Sequence, residues 1–366
     1  MQLEKGRISN FELIMLMIGF IFGSSFLVSP AKSGGQNGWL AVIIGAFEAL
    51  LIAWIFVALS NKFKDKTIIE INDVVYGRIL GKLISFVFIW YLFHLAIQVS
   101  ALFAYFFSTE IYMNTPPTIL LIFILAVCAS TVGRGIEVLA RCSVVLVPLT
   151  FLITIFDFVL SIPNMDINNI LPVLDIPTGK FLWAAHSAAM YPFAQTAAFI
   201  MVFSSLNNKK GRYGNVAVAI LIGCFFLTLI QLRNSLVLGP MISNYIFPSY
   251  IAIQAINIAD VLSRLEVFVT IFFLFLGFIK VSVLLYGTVL GMGQLLNLRS
   301  YRPLIIPIVI FVIILTPHAS SNFIESLEFT EKGYPIYALP WEAGIPLITL
   351  IVAKLRKLPR TEGEKL

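Results

Sequence analysis

Charge is scarce in this sequence. Asp, Glu, Lys and Arg make up 12% of the 366 residues, about half the share in an average soluble domain, which is too little to coat a water-soluble protein of this size. Cysteine and histidine number three each. Cys128, Cys142 and Cys224 have neither pairable nor metal-ligand spacing, so no disulfide framework, metal site or cofactor is expected. No phosphate loop, dinucleotide fingerprint, zinc-protease helix or nucleophile elbow occurs, and the few carboxylates are not paired for acid–base work. No loop is long enough for a soluble catalytic domain, and an enzyme is not expected.

Apolar sequence is abundant instead, with 59% hydrophobic residues and a mean hydropathy of +0.94. A helix needs about 20 predominantly apolar residues to cross about 30 Å of hydrocarbon, where the backbone must satisfy its own polar groups. Ten such stretches are predicted as transmembrane helices over residues 12–31, 38–60, 83–108, 118–133, 143–162, 181–204, 214–238, 264–291, 303–319 and 336–353. The chain thus reads as an all-α polytopic membrane protein of one transmembrane domain, 1–366. The first apolar run is long and leads directly into the second, unlike a cleavable signal, so the start is expected to stay attached.

Basic residues give the orientation. Lys5, Arg7, Lys62, Lys64, Lys66, Arg78, Lys82, Arg134, Arg141, Lys209, Lys210, Arg212, Arg299, Arg302 and the five basic residues after residue 353, most of them in the tail over 355–366, share one side, leaving Lys32, Lys180, Arg264 and Lys332 opposite. Both termini are therefore expected in the cytoplasm. The pI near 9.2 is then explained by loops facing anionic lipid, with no nucleic-acid partner. Residues 61–82, with Ile68, Ile69, Ile71, Val74 and Val75 among charges, read as an amphipathic interfacial helix. Residues 163–180, with Pro163, Pro172 and Pro177, read as an extended outer loop, and 240–263 as an outer segment capped by Asp260.

Two spans carry internal breaks. Gly23, Ser24 and Ser25 stand near the middle of the first, followed by Phe26 and Pro30. Ser187, Ala188, Tyr191 and Pro192 stand at the middle of the sixth, where proline removes a backbone hydrogen bond. Breaks in the first and sixth of ten spans are the pattern of a 5+5 inverted-repeat, LeuT-like transporter fold, with repeats over about 8–162 and 181–354. Freed N–H and C=O groups at such breaks suit a zwitterion, of which an amino acid is the simplest. Small residues and prolines also occur in membrane helices merely for packing and kinking.

Several motifs run the length of the chain: Ile8-Ser9 before the first span, Gly23-Ser24-Ser25 inside it, Gly133-Arg134-Gly135-Ile136-Glu137-Val138, Leu171-Pro172, Tyr191-Pro192-Phe193 and Phe278-Ile279-Lys280. On these the chain resembles the B subunit of the Ger-type nutrient germinant receptors of endospore-forming bacteria, the endospore germination permease family. The resemblance implies a ten-helix fold of the amino acid-polyamine-organocation superfamily, location in the spore inner membrane, assembly with A and C subunits, and nutrient sensing. That family often has a glycine and an acid after the sixth-span proline and aromatic. Here Ala194 and Gln195 follow, so a role needing that carboxylate is not carried over.

Ionisable residues at depth are expected to have partners or functions. Lys280, in the eighth span, is expected to face the first span near Gly23 in place of a transporter's cation, with Asp157 as a candidate counter-ion. Arg233 is read as pairing with Glu110. His94 and Gln98, four apart, share a helix face; a polar helix contact or a ligand contact would explain them. His186 reads as bonded to a neighbouring helix or lining an entrance, and Glu48 is left without a named partner. The expected ligand site comprises Gly23, Ser24, Ser25, Phe26, Val99, Phe103, Ser187, Ala188, Tyr191, Lys280 and Leu284, with the third and eighth spans completing it. The leading reading is a subunit that senses a small nutrient, a neutral amino acid. The alternatives are a secondary amino acid permease, proton-coupled or not, and a ligand-free scaffold or water and ion conduit.

Overall fold

The computed structural model describes residue 3 and residues 6–208, 210–256, 265–319 and 323–359. Lys5, Lys209, Asp260, Arg264 and residues 360–366 lie outside the described residues, and with them part of the orientation argument. Within those described, the regular structure is helical apart from one isolated parallel bridge between Ile8 and Leu206. The helices are α1 Asn10–Ser25, α2 Gly38–Lys62, α3 Ile68–Tyr76, α4 Arg78–Phe106, α5 Pro117–Arg134, α6 Ile136–Ser161 and α7 Thr178–Ala188. They continue with α8 Arg212–Leu238, α9 Pro248–Gln254, α10 Leu265–Leu295, α11 Ile305–Leu315, α12 Phe323–Glu328, α13 Tyr334–Leu339 and α14 Ile345–Leu355.

Among the described residues, seven continuous helical stretches are long and apolar enough to cross a membrane, and Asn10–Ser25 and Arg302–His318 are shorter apolar helices. The stretch expected as the sixth span is interrupted. α7 ends at Ala188, Tyr191 takes extended angles (φ −125°, ψ 109°), and a 3-10 helix over Ala194–Met201 follows. The first differs from expectation. Gly23, Ser24 and Ser25 remain helical, and α1 ends just beyond them rather than opening among them. Past Pro30 the chain resumes as a 3-10 helix over Lys32–Asn37, itself kinked at Gly35, where φ is 56°.

α1 is the central strut. A capping box starts it, Ser9 Oγ accepting from Glu12 N–H and the Glu12 carboxylate from Ser9 N–H. From Leu16 to Ser25 every residue is buried, against α6, α8 and α10. Its lower end is tied to the end of the sixth stretch: Ile8 N–H donates to Ser205 O at 3.0 Å, Asn207 N–H to Ile8 O at 3.0 Å, and Arg7 Nη1 to Ser204 O at 3.0 Å.

The amphipathic segment forms α3, opened by a Thr67–Glu70 capping box. Ile68, Ile69, Ile71 and Val75 are buried and Val74 is exposed, so the apolar face packs on protein, chiefly α4. Asn72 donates to Ser85 Oγ at 3.2 Å, and Arg356 Nη1 to Val75 O at 2.8 Å. The outer loop is short 3-10 turns fastened to α8, with Asp166 N–H and Asn169 Nδ2 both donating to Leu236 O.

Two expected pairings are corrected. Asp157 is not the counter-ion of Lys280, and Arg233 does not reach Glu110. Instead Arg233 Nη1 lies 3.0 Å from both carboxylate oxygens of Asp157, joining α8 to α6, with both side chains buried. The reason is helix order in space: α8 packs along α6, while Glu110 lies in a π turn after α4, where it accepts from Thr109. Breaking a buried pair strands one charge at about 3–5 kcal/mol, whereas replacing both partners by apolar groups is often neutral. Asp157→Leu alone should therefore lower the melting temperature strongly, and Asp157→Leu with Arg233→Met should recover most of the loss, as read by thermal unfolding in detergent.

Candidate functional site

The interior is organised around a lysine. Lys280 is fully buried in α10, and its Nζ donates to Ser24 Oγ at 2.8 Å. The ammonium also lies 5.0 Å from the Phe20 ring centroid and 5.2 Å from that of Tyr191. An ammonium at a helix centre costs about 2.5–3.5 kcal/mol on insertion scales, and a desolvated cation–π contact returns about 2 kcal/mol, so two rings and a hydroxyl are enough to hold it. The backbone carbonyls around Gly23 are engaged in the helix and leave the lysine to the side chains: Phe22 O accepts from Phe26 N–H and Ser24 O from Val28 N–H.

Gly23 explains how α10 comes so close. A Cβ there would stand 2.5 Å from Lys280 Cβ and 3.0 Å from Leu276 O. Hydrogen is the only substituent that fits between the two helices.

A second buried cluster faces this one. Glu342, fully buried just before α14, accepts from the hydroxyls of both Tyr91 and Tyr334, the latter at 2.8 Å. Gln195 Nε2 donates to Tyr334 Oη at 2.8 Å, and the Tyr334 ring meets the Tyr191 ring edge-on at 6.2 Å. Tyr191 and Tyr334 thus stand between Lys280 and the Glu342 carboxylate. Sequence reasoning missed this carboxylate, although a signal existed: Glu342 is the one acid inside the last predicted span. Tyr91 and Tyr334 carried no comparable mark.

Between the clusters and α4 lies a cavity of about 40 Å³, room for about three waters. Ser24, Tyr191, Gln195 and Tyr334 form one polar wall, Gln98, Ser326 and Thr330 another, and Leu95, Val99 and Leu102 an apolar flank. A smaller cavity of about 20 Å³ adjoins it, sharing Val28, Tyr191, Leu327 and Thr330 and adding Ser187, Lys32 and Glu331.

Of the residues expected at the site, Ser24, Val99 and Tyr191 line the main cavity, and Ser187 lines its neighbour. Lys280 lies behind Ser24 and Tyr191. Gly23 packs on α10, and Ser25 Oγ turns back to Ile21 O at 3.0 Å. Phe26, Ala188 and Leu284 are buried without lining the cavity. Phe103 stacks on Phe273 at 4.2 Å, filling the space left by Gly277. The third span does wall the cavity, but the eighth does not, because α10 is seated too tightly on α1. Residues 323–334 take that place.

The remaining polar residues bridge helices. His94 contacts Gln98 at 3.2 Å and Tyr337 Oη at 3.0 Å, and Ser326 Oγ donates to Gln98 Oε1 at 3.1 Å. This joins α4 to α12 and α13 with Gln98 at the cavity edge. His186 Nδ1 meets Glu48 Oε1 at 2.7 Å, supplying the partner that Glu48 lacked in the sequence.

Tyr91 and Tyr334 Oη lie 2.9 Å apart, so in Glu342→Leu one phenol can still donate to the other and one buried hydroxyl is stranded at about 1–3 kcal/mol, while Glu342→Gln keeps an acceptor in place. Thermal unfolding should show a large loss for leucine and a clearly smaller one for glutamine; equal losses would remove the acceptor role. Gly23→Ala should destabilise by about 1–3 kcal/mol through overpacking against Lys280, measured in the same assay.

The sequence matches the family described as "Spore germination protein" over residues 7–324. It is 30% identical to spore germination protein KB of Bacillus subtilis (strain 168), covering 99% of both chains. It is 22% identical to spore germination protein YndE of the same organism over 98% of both, and 22% identical to its spore germination protein A2 over 96% of both. Among solved structures, Mhp1, a nucleobase-cation-symport-1 family transporter with bromovinylhydantoin bound, superposes with a TM-score of 0.70 at 12% identity, covering 98% of this chain and 81% of that one. MhsT in complex with L-phenylalanine gives 0.66 at 13% identity, covering 98% and 99%. Those two likenesses are of fold alone. With nearly its whole length matched and its helices arranged as in these two structures, this multi-pass membrane protein belongs to the spore germination permease family.

Proposed function

We propose that this chain is the nutrient-sensing membrane subunit of a spore germinant receptor, taking a small neutral amino acid into the cavity between the end of α1, the interruption at Tyr191, α4 and residues 323–334. The observation that carries this reading is the convergence of Ser24 and Tyr191, from the two interrupted stretches, on one cavity with a polar and an apolar wall. In this reading the chain crosses the membrane ten times, with helices 1 and 6 broken, and both termini lie in the cytoplasm. It resides in the spore inner membrane with A and C subunits.

Ser24, Val99 and Tyr191 touch the ligand, and Lys280 acts through Ser24 and Tyr191. Gly23, Ser25, Phe26, Phe103, Ala188 and Leu284 hold the surrounding shape, and Ser187 stands on the approach. A cavity of about 40 Å³ is far below the about 300 Å³ at which ligand pockets begin, so occupancy requires the walls to part. A ligand that binds only the parted form shifts the population towards it, and that movement is the signal passed to partner subunits. The second reading is a secondary amino acid permease on the same site, since one scaffold hosts both activities.

Purified protein in sealed proteoliposomes should bind labelled neutral amino acids saturably without accumulating them, and Gly23→Trp, which wedges α1 away from α10, should abolish binding. Concentrative uptake would establish the permease instead. Absence of both in an assembled, folded receptor would overturn the ligand site.

A further inference from the structure

One polar pair faces out of the bundle. Glu48 lies about 15 Å along α2 from Gly38 and about 21 Å from Lys62, near the middle of a hydrocarbon layer about 30 Å thick. Its Oε1 pairs with His186 Nδ1 on α7, yet the side chains keep 36% and 27% of their exposure. Ile44, Phe47 and Leu51 on the same stripe of α2, and Leu182 one turn from His186, are exposed large apolar side chains. By contrast the Asp157–Arg233 pair and Lys280 are enclosed by protein.

The pair cannot withdraw. Gly45, one turn before Glu48, is pressed on α7 so closely that a Cβ there would stand 2.5 Å from Ala185 O and 2.8 Å from Ala189 N. Among the described residues, Glu48 Oε2 and His186 Nε2 take no hydrogen bond. Hydrocarbon offers them none, and polar groups at that depth demand partners.

We propose that this face docks a second copy of this chain about a two-fold axis normal to the membrane. An acid and a base on one patch complement themselves under two-fold rotation, since the interface is the same surface on both partners. Each His186, as imidazolium, donates Nδ1–H to Glu48 of its own chain and Nε2–H to Glu48 Oε2 of the other. Two carboxylates and two imidazolium rings close a neutral cycle. The exposed stripe of Phe47 and Leu51 packs around it. This inference does not depend on the nutrient site.

The test uses the full chain carrying two different affinity tags, co-expressed and reconstituted in lipid bilayers. Leu51→Cys, with Cys128, Cys142 and Cys224 replaced by serine, is treated with a bifunctional maleimide. Both tags should co-isolate, and a band of twice the monomer mass should form. Glu48→Leu with His186→Leu, which leaves no stranded partner, should cut the dimer at least tenfold at equal protein-to-lipid ratio. Glu48→His with His186→Glu preserves the reciprocal cycle and should retain it within about twofold. Isolation of a single copy only, cross-linking to a different polypeptide only, or an unchanged dimer in a folded double-leucine variant would each overturn the proposal. Loss of the dimer in a folded swap variant would do the same.

Discussion

The interior depends on one buried ammonium. Lys280 is fully buried, so its charge must be met by Ser24 and by the faces of Phe20 and Tyr191. That requirement fixes where α1 and α10 touch and forces glycine at position 23. It also holds Tyr191 across the interruption of the sixth stretch. A contact of this kind is anchored by electrostatics in a low-dielectric setting, where an unpaired charge is far costlier than in water.

The cavity inherits its character from that anchor. Two of its lining groups, Ser24 and Tyr191, are the same groups that hold the ammonium, and two more, Gln195 and Tyr334, lead to the Glu342 carboxylate. Whatever enters must compete for or extend hydrogen bonds that already bind α1 to α10 and the sixth stretch to the chain before α14. A small molecule in this cavity would therefore meet the joints of the fold without touching either charge. Residues 323–330 form the wall that lacks such an anchor. They are joined to α4 by the Ser326–Gln98 hydrogen bond, and α13 after them by Tyr337–His94, weaker than a charge held between rings.

Much of this was legible in the residues. The membrane class followed from scarce charge and long apolar runs, and the special character of positions 23–25 and 191–192 followed from glycine, serine and proline where helices should run unbroken. Lys280 announced itself as a cation in hydrocarbon, and its approach to the first span was read correctly. Its partner was not: the acid chosen was Asp157, whereas Arg233 claims that carboxylate. Glu342 was as visible as Lys280 by the same rule, a lone charge within a span. The tyrosines that receive it look in sequence like any other aromatic in a chain with 32 Phe and 12 Tyr.

What the sequence by itself determined is the set of groups that cannot be left alone in hydrocarbon, because the cost of an unsatisfied charge or a missing N–H depends on the residue and its depth. Which group answers which was decided only by the tertiary structure. Pairing requires atoms within about 3 Å, and helices distant along the chain reach that separation only through the order in which they pack. So α8 beside α6 gave Arg233 to Asp157, and α10 pressed against Gly23 excluded the eighth span from the cavity. The segment before α14, unremarked in the sequence, closed the space that α10 left to it.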